Sequence, residues 1–105
     1  MSRFGQLTRL VAVAEKRDEL AAKFLEAAEI HRENADCLLM LVSAAQDSAD
    51  VVYVTEMWSS EAAWKEARRG RAIQNWWAKS VPALIAGQPE TIPLTILGGK
   101  EPATI

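Results

Sequence analysis

Cysteine, histidine and long apolar runs are what this 105-residue chain has least of, and each scarcity removes a class of chemistry. The single thiol, Cys37, cannot close an internal disulfide and leaves too few thiolates for a cysteine-based zinc site. With one imidazole, His31, no local pattern suggests a serine triad, and the chain shows no metal-ligand cluster, glycine-rich phosphate loop or nucleophile elbow. No apolar run approaches the ~20 residues that cross a bilayer, and no charged-then-apolar signal opens the sequence. An excess of one charge sign is also lacking: the net value of −2 gives no general attraction to nucleic acid or to an anionic membrane. Internal repeats, linkers and low-complexity stretches are lacking too. The expectation is one globular domain over residues 1–105, most simply cytoplasmic, without metal or other cofactor and without nucleic-acid or membrane partners.

What is present is a regular alternation of elements. Gly5 to Val13 alternates weakly and reads as a first strand. Lys16 to Asn34 is an amphipathic helix, because Leu20, Phe24, Ala27, Ala28 and His31 share one stripe at about 100° per residue. Cys37 to Ala44 and the β-branched run from Val51 are strands joined by the polar loop Gln46–Asp50. Ser59 or Ser60 can cap a helix that stops at Gly70. A third helical run from Ala72 places Ile73, Trp77, Val81 and Leu84 on one face, with Trp77 as core and Pro82 as interruption. Gln88 to Leu97 is the last strand, and Pro93, lacking an N–H, assigns it to a sheet edge. Gly98 to Ile105 reads as a loose tail. The order β-α-β-β-α-β predicts an α+β, ferredoxin-like fold, a four-stranded antiparallel sheet with helices on one face.

The second strand adds a quaternary expectation. Leu38, Met40 and Val42 point one way while Cys37, Leu39 and Leu41 point the other, so both faces are apolar. A sheet covered by helices on one side only should be polar on the other. A second copy of the chain, packed sheet to sheet as a homodimer, would cover the open face.

The candidate chemistry lies in isolated polar residues on apolar faces. His31 reads either as a pocket acid/base or as a histidine favoured by the negative end of its helix. Glu56 shares its strand face with Val52, Val54 and Trp58. Burial there would make it a proton acceptor near neutral pH; alternatively it is a structural carboxylate paired with an arginine or backbone N–H groups. Trp58, Trp64, Trp76 and Trp77 serve either core packing or a flat pocket for an aromatic ligand. Arg68, Arg69 and Arg71 read as a solvated helix end or as an anion clamp. Cys37 reads as an inert buried thiol.

Several motifs together resemble the antibiotic biosynthesis monooxygenase (ABM) family from Leu7 to Leu97. The third strand of that family usually ends tyrosine–glutamate–any–tryptophan before a capped helix; here Thr55 replaces the tyrosine while Glu56 and Trp58 fit. Lys16-Arg17-Asp18-Glu19-Leu20, Asn34-Ala35-Asp36-Cys37-Leu38 and Pro82-Ala83-Leu84-Ile85-Ala86-Gly87 extend the likeness. The resemblance implies a dimeric α+β barrel with a pocket in each subunit between helices and sheet. It also implies a cofactor-independent oxidation of a small aromatic, quinol-type substrate by O₂, or a non-enzymatic small-molecule-binding dimer of the same fold. By register with the family, Trp58 matches a strand-end tryptophan, Trp64 stands where a pocket tyrosine is found, and Thr8 could hydrogen-bond the substrate. The polyketide-oxidising branch has an asparagine where this chain has Val54. The haem-degrading branch needs asparagine and histidine where this chain has Thr8 and Trp76, which argues against iron ligation.

Overall fold

β-Branched and aromatic residues dictate the central strands, and the pairing follows from them. A computed structural model of the chain describes residues 3–100. The elements are β1 (Arg3–Val11), α1 (Arg17–Ile30), β2 (Cys37–Ala44), β3 (Val51–Trp58), α2 (Glu61–Ala67), α3 (Arg71–Ser80) and β4 (Glu90–Ile96). All strand pairs are antiparallel and the spatial order is β2-β3-β1-β4. This is the ferredoxin-like arrangement, and Pro93 sits on an edge strand, opposite Gln6.

The helices lie on one sheet face, α1 over β2 and β3, α2 over β1 and β3, and α3 against α1. Leu10 and Ala12 from β1 and its end, Val52 and Val54 from β3, Leu20, Phe24 and Ala27 from α1, and Trp76 from α3 form the core between them. Ser60 caps α2, its Oγ accepting from the Ala63 N–H at 3.1 Å. After α3, residues 81–86 dock along the end of β1, the Ala86 N–H donating to the Val11 carbonyl and the Val13 N–H to that of Leu84.

Four local expectations are corrected. The first strand ends at Val11 rather than Val13, because the next residues turn to meet the 84–86 segment. Helix α1 ends at Ile30, not Asn34; His31 is its C-cap, and a turn closed by the Asn34 N–H on the His31 carbonyl follows. Helix α3 ends at Ser80, so Val81 and Leu84 do not prolong its stripe. Trp76 is then the buried tryptophan, 9% exposed, while Trp77 is 40% exposed. The Trp76 Nε1–H donates to the Lys23 carbonyl at 2.7 Å, and its ring meets Phe24 edge-on at 4.9 Å. Finally, an irregularity between Cys37 and Leu39 breaks the alternation of β2 and pairs Cys37 with Trp58.

The sheet's other face carries Leu39 and Leu41 from β2, Tyr53 from β3, Leu7 from β1, and Ile92 and Leu94 from β4. Leu41, Ile92 and Leu94 are 52%, 53% and 41% exposed in the single chain. The last strand ends at Ile96 rather than Leu97; residues 98–100 of the expected tail have no regular secondary structure, and 101–105 lie outside the described residues.

Candidate functional site

Two adjacent rungs of the sheet break the apolar pattern of its helix-facing side. In one, Met40, Glu56, Gln6 and Pro93 stand side by side; in the next, Val42, Val54, Thr8 and Thr91 do. Directly opposed residues of neighbouring strands sit within about 5 Å, so Glu56, Gln6, Thr8 and Thr91 form one polar patch. Above it lies a cleft of about 610 Å³. His31 at the end of α1, Trp64 and Arg68 from α2 and its cap, and Gln74, Trp76 and Trp77 of α3 form its walls.

All five residues singled out in the sequence, Thr8, His31, Glu56, Trp58 and Trp64, line this cleft. Trp58 joins two of them. Its Nε1–H donates to Glu56 Oε1 at 3.0 Å, and its ring meets that of His31 edge-on at 5.2 Å. At 1% exposure Trp58 fixes these neighbours more than it offers surface. Trp64 is half-buried, its ring tilted against Phe4 at 4.9 Å. Thr8 is buried on the cleft floor beside buried Gln6.

The electrostatics follow from burial. Desolvation pushes the Glu56 carboxyl above its ordinary value of 4.5, overcoming the Trp58 hydrogen bond and the Arg68 charge, which both pull it down. The expected alternative of an arginine salt bridge is not formed among the described residues; the indole is the carboxylate's partner. Burial pulls His31 below 6.5, so its imidazole is neutral at physiological pH. The Cys37 thiol is pushed up to about 11, first by burial and then by the Glu56 charge, and stays protonated. The site therefore offers one carboxyl whose affinity for a proton is raised by desolvation and one neutral imidazole, within tryptophan walls.

Sequence reasoning missed Gln6, Thr91, Gln74 and the position of Arg68. Gln6 carried the signal used for Glu56, a polar side chain on an apolar strand face, between Phe4 and Leu10. Arg68 is exposed, but it stacks on Trp64 with its guanidinium carbon 4.9 Å from the ring centroid, at the cleft mouth. Arg69, by contrast, pairs with Glu66 in solvent. Among the described residues no cluster of three or more histidines, cysteines or carboxylates could hold a metal ion. No helix among them is long and apolar enough to cross a membrane.

The same architecture recurs in solved structures. A protein of the antibiotic biosynthesis monooxygenase type from Chloroflexus aurantiacus J-10-fl superposes with a TM-score of 0.83 at 27% identity, over 95% of this chain and 98% of that one. One from Caulobacter crescentus CB15 gives 0.82 at 22% identity, over 92% of each chain. A variant of SnoaB, a cofactor-independent oxygenase from Streptomyces nogalater, gives 0.81 at 13% identity, covering 94% of this chain and 97% of its own. At such low identity the last two speak to fold alone. No curated protein is significantly similar in sequence. The family model described as antibiotic biosynthesis monooxygenase matches residues 3–79, most of the chain, and the chain belongs to that family.

Proposed function

We propose that the chain is a cofactor-independent oxygenase of small hydroxylated aromatics, acting as a homodimer. The observation that carries this reading is Glu56: a half-buried carboxyl whose pKa desolvation raises, held by an indole N–H and open to a tryptophan-walled cleft. A ring of quinol size fits the volume, and the polar patch of Gln6, Thr8 and Thr91 can hydrogen-bond its oxygens.

The chemistry asked of the protein is modest. Glu56 as carboxylate takes the hydroxyl proton of the bound ring, with His31 across Trp58 as the other candidate acceptor. The resulting anion passes one electron to O₂, and the radical pair joins to form a C–O bond at a ring carbon. Protonation of the peroxide by Glu56 precedes O–O cleavage. The ring carbon then loses its hydrogen as a proton and becomes a carbonyl, and the second oxygen leaves as water. For a hydroquinone the sum is hydroquinone plus O₂ giving hydroxyquinone plus water. The enzyme contributes a dry pocket, orientation and the proton shuttle.

The dimer is supported by the second sheet face. Leu41 on the second strand and Ile92 and Leu94 on the fourth face solvent there in a single chain, and a second copy packed sheet to sheet would cover them. Oxygen uptake with a panel of hydroquinones and naphthalenediols tests the activity. Turnover above autoxidation, reduced about 10²–10⁴-fold by Glu56→Gln, is expected. Tight binding of the panel without oxygen uptake would leave a small-molecule-binding dimer instead.

A further inference from the structure

We propose that Arg68 is the anion-recognition residue of this cleft, and that the preferred ligands are planar aromatics bearing an acidic substituent such as a carboxylate. The inference rests on the reading of the cleft as an aromatic-ligand site and names the substrate class it selects.

Among the described residues Arg68 is the one permanently charged cation that lines the cleft. Its place is fixed from both sides. It is the C-cap of α2, and its carbonyl accepts a hydrogen bond from Gln74 Nε2 at 3.2 Å, which ties it to the first turns of α3. Its guanidinium lies over the face of Trp64, whose ring in turn leans on Phe4. Stacking leaves the edge of a guanidinium, with its N–H groups, free to point elsewhere. Two neighbouring cations are spent on carboxylates, Arg69 on Glu66 and Lys65 on Glu61, and Arg71 does not line the cleft. Arg68 forms no ion pair within 4 Å among the described residues, and no carboxylate but Glu56 lines the cleft with it. The Glu56 carboxyl is held by the Trp58 indole N–H at 3.0 Å and makes no salt bridge with the arginine.

A planar ligand would therefore meet two complementary surfaces at once. The tryptophans take its ring, and a carboxylate at its rim reaches the guanidinium edge, where two parallel N–H···O bonds match the fork geometry. An arginine at the end of a solvated helix would need neither the aromatic platform nor the cleft. Both are present here, and the arginine stands where they meet.

The test compares 2-naphthoate with its neutral amide, 2-naphthamide, by quenching of indole fluorescence. Neither probe has an oxidisable hydroxyl, so the result is independent of whether the protein consumes oxygen. The wild-type chain should bind naphthoate about tenfold to a hundredfold more tightly than naphthamide. Arg68→Gln should bring the two within about twofold by weakening naphthoate alone. Arg68→Lys, which keeps the charge and loses the planar fork, should restore part of the preference. Matching far-UV circular dichroism shows that the variants are folded. Equal wild-type affinities, no naphthoate binding up to millimolar concentration, a preference that survives Arg68→Gln, or equal weakening of both probes would each overturn the assignment. Oxygen uptake without a carboxylate preference would sink this inference and spare the oxygenase; a preference without uptake would do the reverse.

Discussion

Replacing Trp64 and Trp76 in turn by phenylalanine separates a ligand wall from the core. Trp76 is 9% exposed, donates its indole N–H to the Lys23 carbonyl at 2.7 Å and packs edge-on against Phe24. Phenylalanine there loses a hydrogen bond worth about 1 kcal/mol net. Transfer of the missing ring atoms into the core is worth about another 1 kcal/mol. Part of an aromatic pair of about 0.5–1.5 kcal/mol goes as well. The Lys23 carbonyl is not stranded, since it lies within α1, where the helical ladder also uses it. The sum is a loss of about 2–3 kcal/mol, which in a domain of this size lowers Tm by about 4–8 °C for each kcal/mol. Trp64 is half-buried and its described contacts are stacking ones, with Phe4 beneath and Arg68 above. Phenylalanine keeps a ring on Phe4, so the stability loss should stay near 1 kcal/mol or below. Affinity for planar aromatics should nevertheless fall by about two- to tenfold, the equivalent of one weakened aromatic contact. Urea unfolding followed by far-UV circular dichroism, at matched protein concentration, gives the stabilities; equilibrium dialysis of 2-naphthol gives the affinities. Equal stability losses with 2-naphthol binding unchanged in both variants would refute the tryptophan-walled cleft.

Glu56→Gln should stabilise the protein at neutral pH while lowering turnover. The folded-state carboxyl is raised above 4.5, so below that value both states are protonated and burial carries no charge penalty. As pH rises through the folded value a buried carboxylate must form, and stability is lost. The variant's advantage in urea should therefore be visible at pH 7 and shrink as pH falls toward 4.5; an advantage independent of pH would contradict the burial argument. Leu41→Lys should give a folded monomer in sedimentation equilibrium, because Leu41 is on the open sheet face, whereas Met40→Lys, packed against the core, should lower stability itself. A wild-type chain that is monomeric and folded at low micromolar concentration would remove the dimer.

Local chemistry made the sheet legible, and tertiary contacts decided what was not. β3 occupies the segment its β-branched run outlines, β2 occupies the apolar run expected as a strand, and Ser60, one of the two serines expected as cap, makes the capping bond. The choice between Trp76 and Trp77 could not be made from periodicity. Both flank the apolar direction of α3, and the Lys23 carbonyl on α1 decides which turns inward. Placing Val81 and Leu84 on the same helix biased the stripe toward Trp77, since Pro82 follows just beyond the true end at Ser80. The five candidate residues were each found by one signal, a polar or aromatic side chain out of place, or a match to the family pattern. That they share a cleft depended on β1 lying beside β3, which topology supplies. Arg68 was read with Arg69 and Arg71 as a solvated helix end or an anion clamp, and its exposure suits the first; only the fold reveals that the solvent beside it is the mouth of a cleft.

The pairing of β1 with β3 has a kinetic consequence. Phe4 opposes Trp58 and Gln6 opposes Glu56, partners about fifty positions apart along the chain, whereas β2 and β3 are joined by a short loop. Closing the larger loop has to precede the reward of its contacts, so contact order places this domain among the slower of small α+β folders. The β2–β3 hairpin can form early, yet it brings only Glu56 and Trp58 of the polar floor and wall. Gln6 and Thr8 arrive with β1, in the late non-local step. The cleft therefore has no partially folded precursor: its polar floor comes into being in the same event that completes the sheet, and a refolding experiment should recover ligand binding no earlier than the slowest phase of β-structure formation.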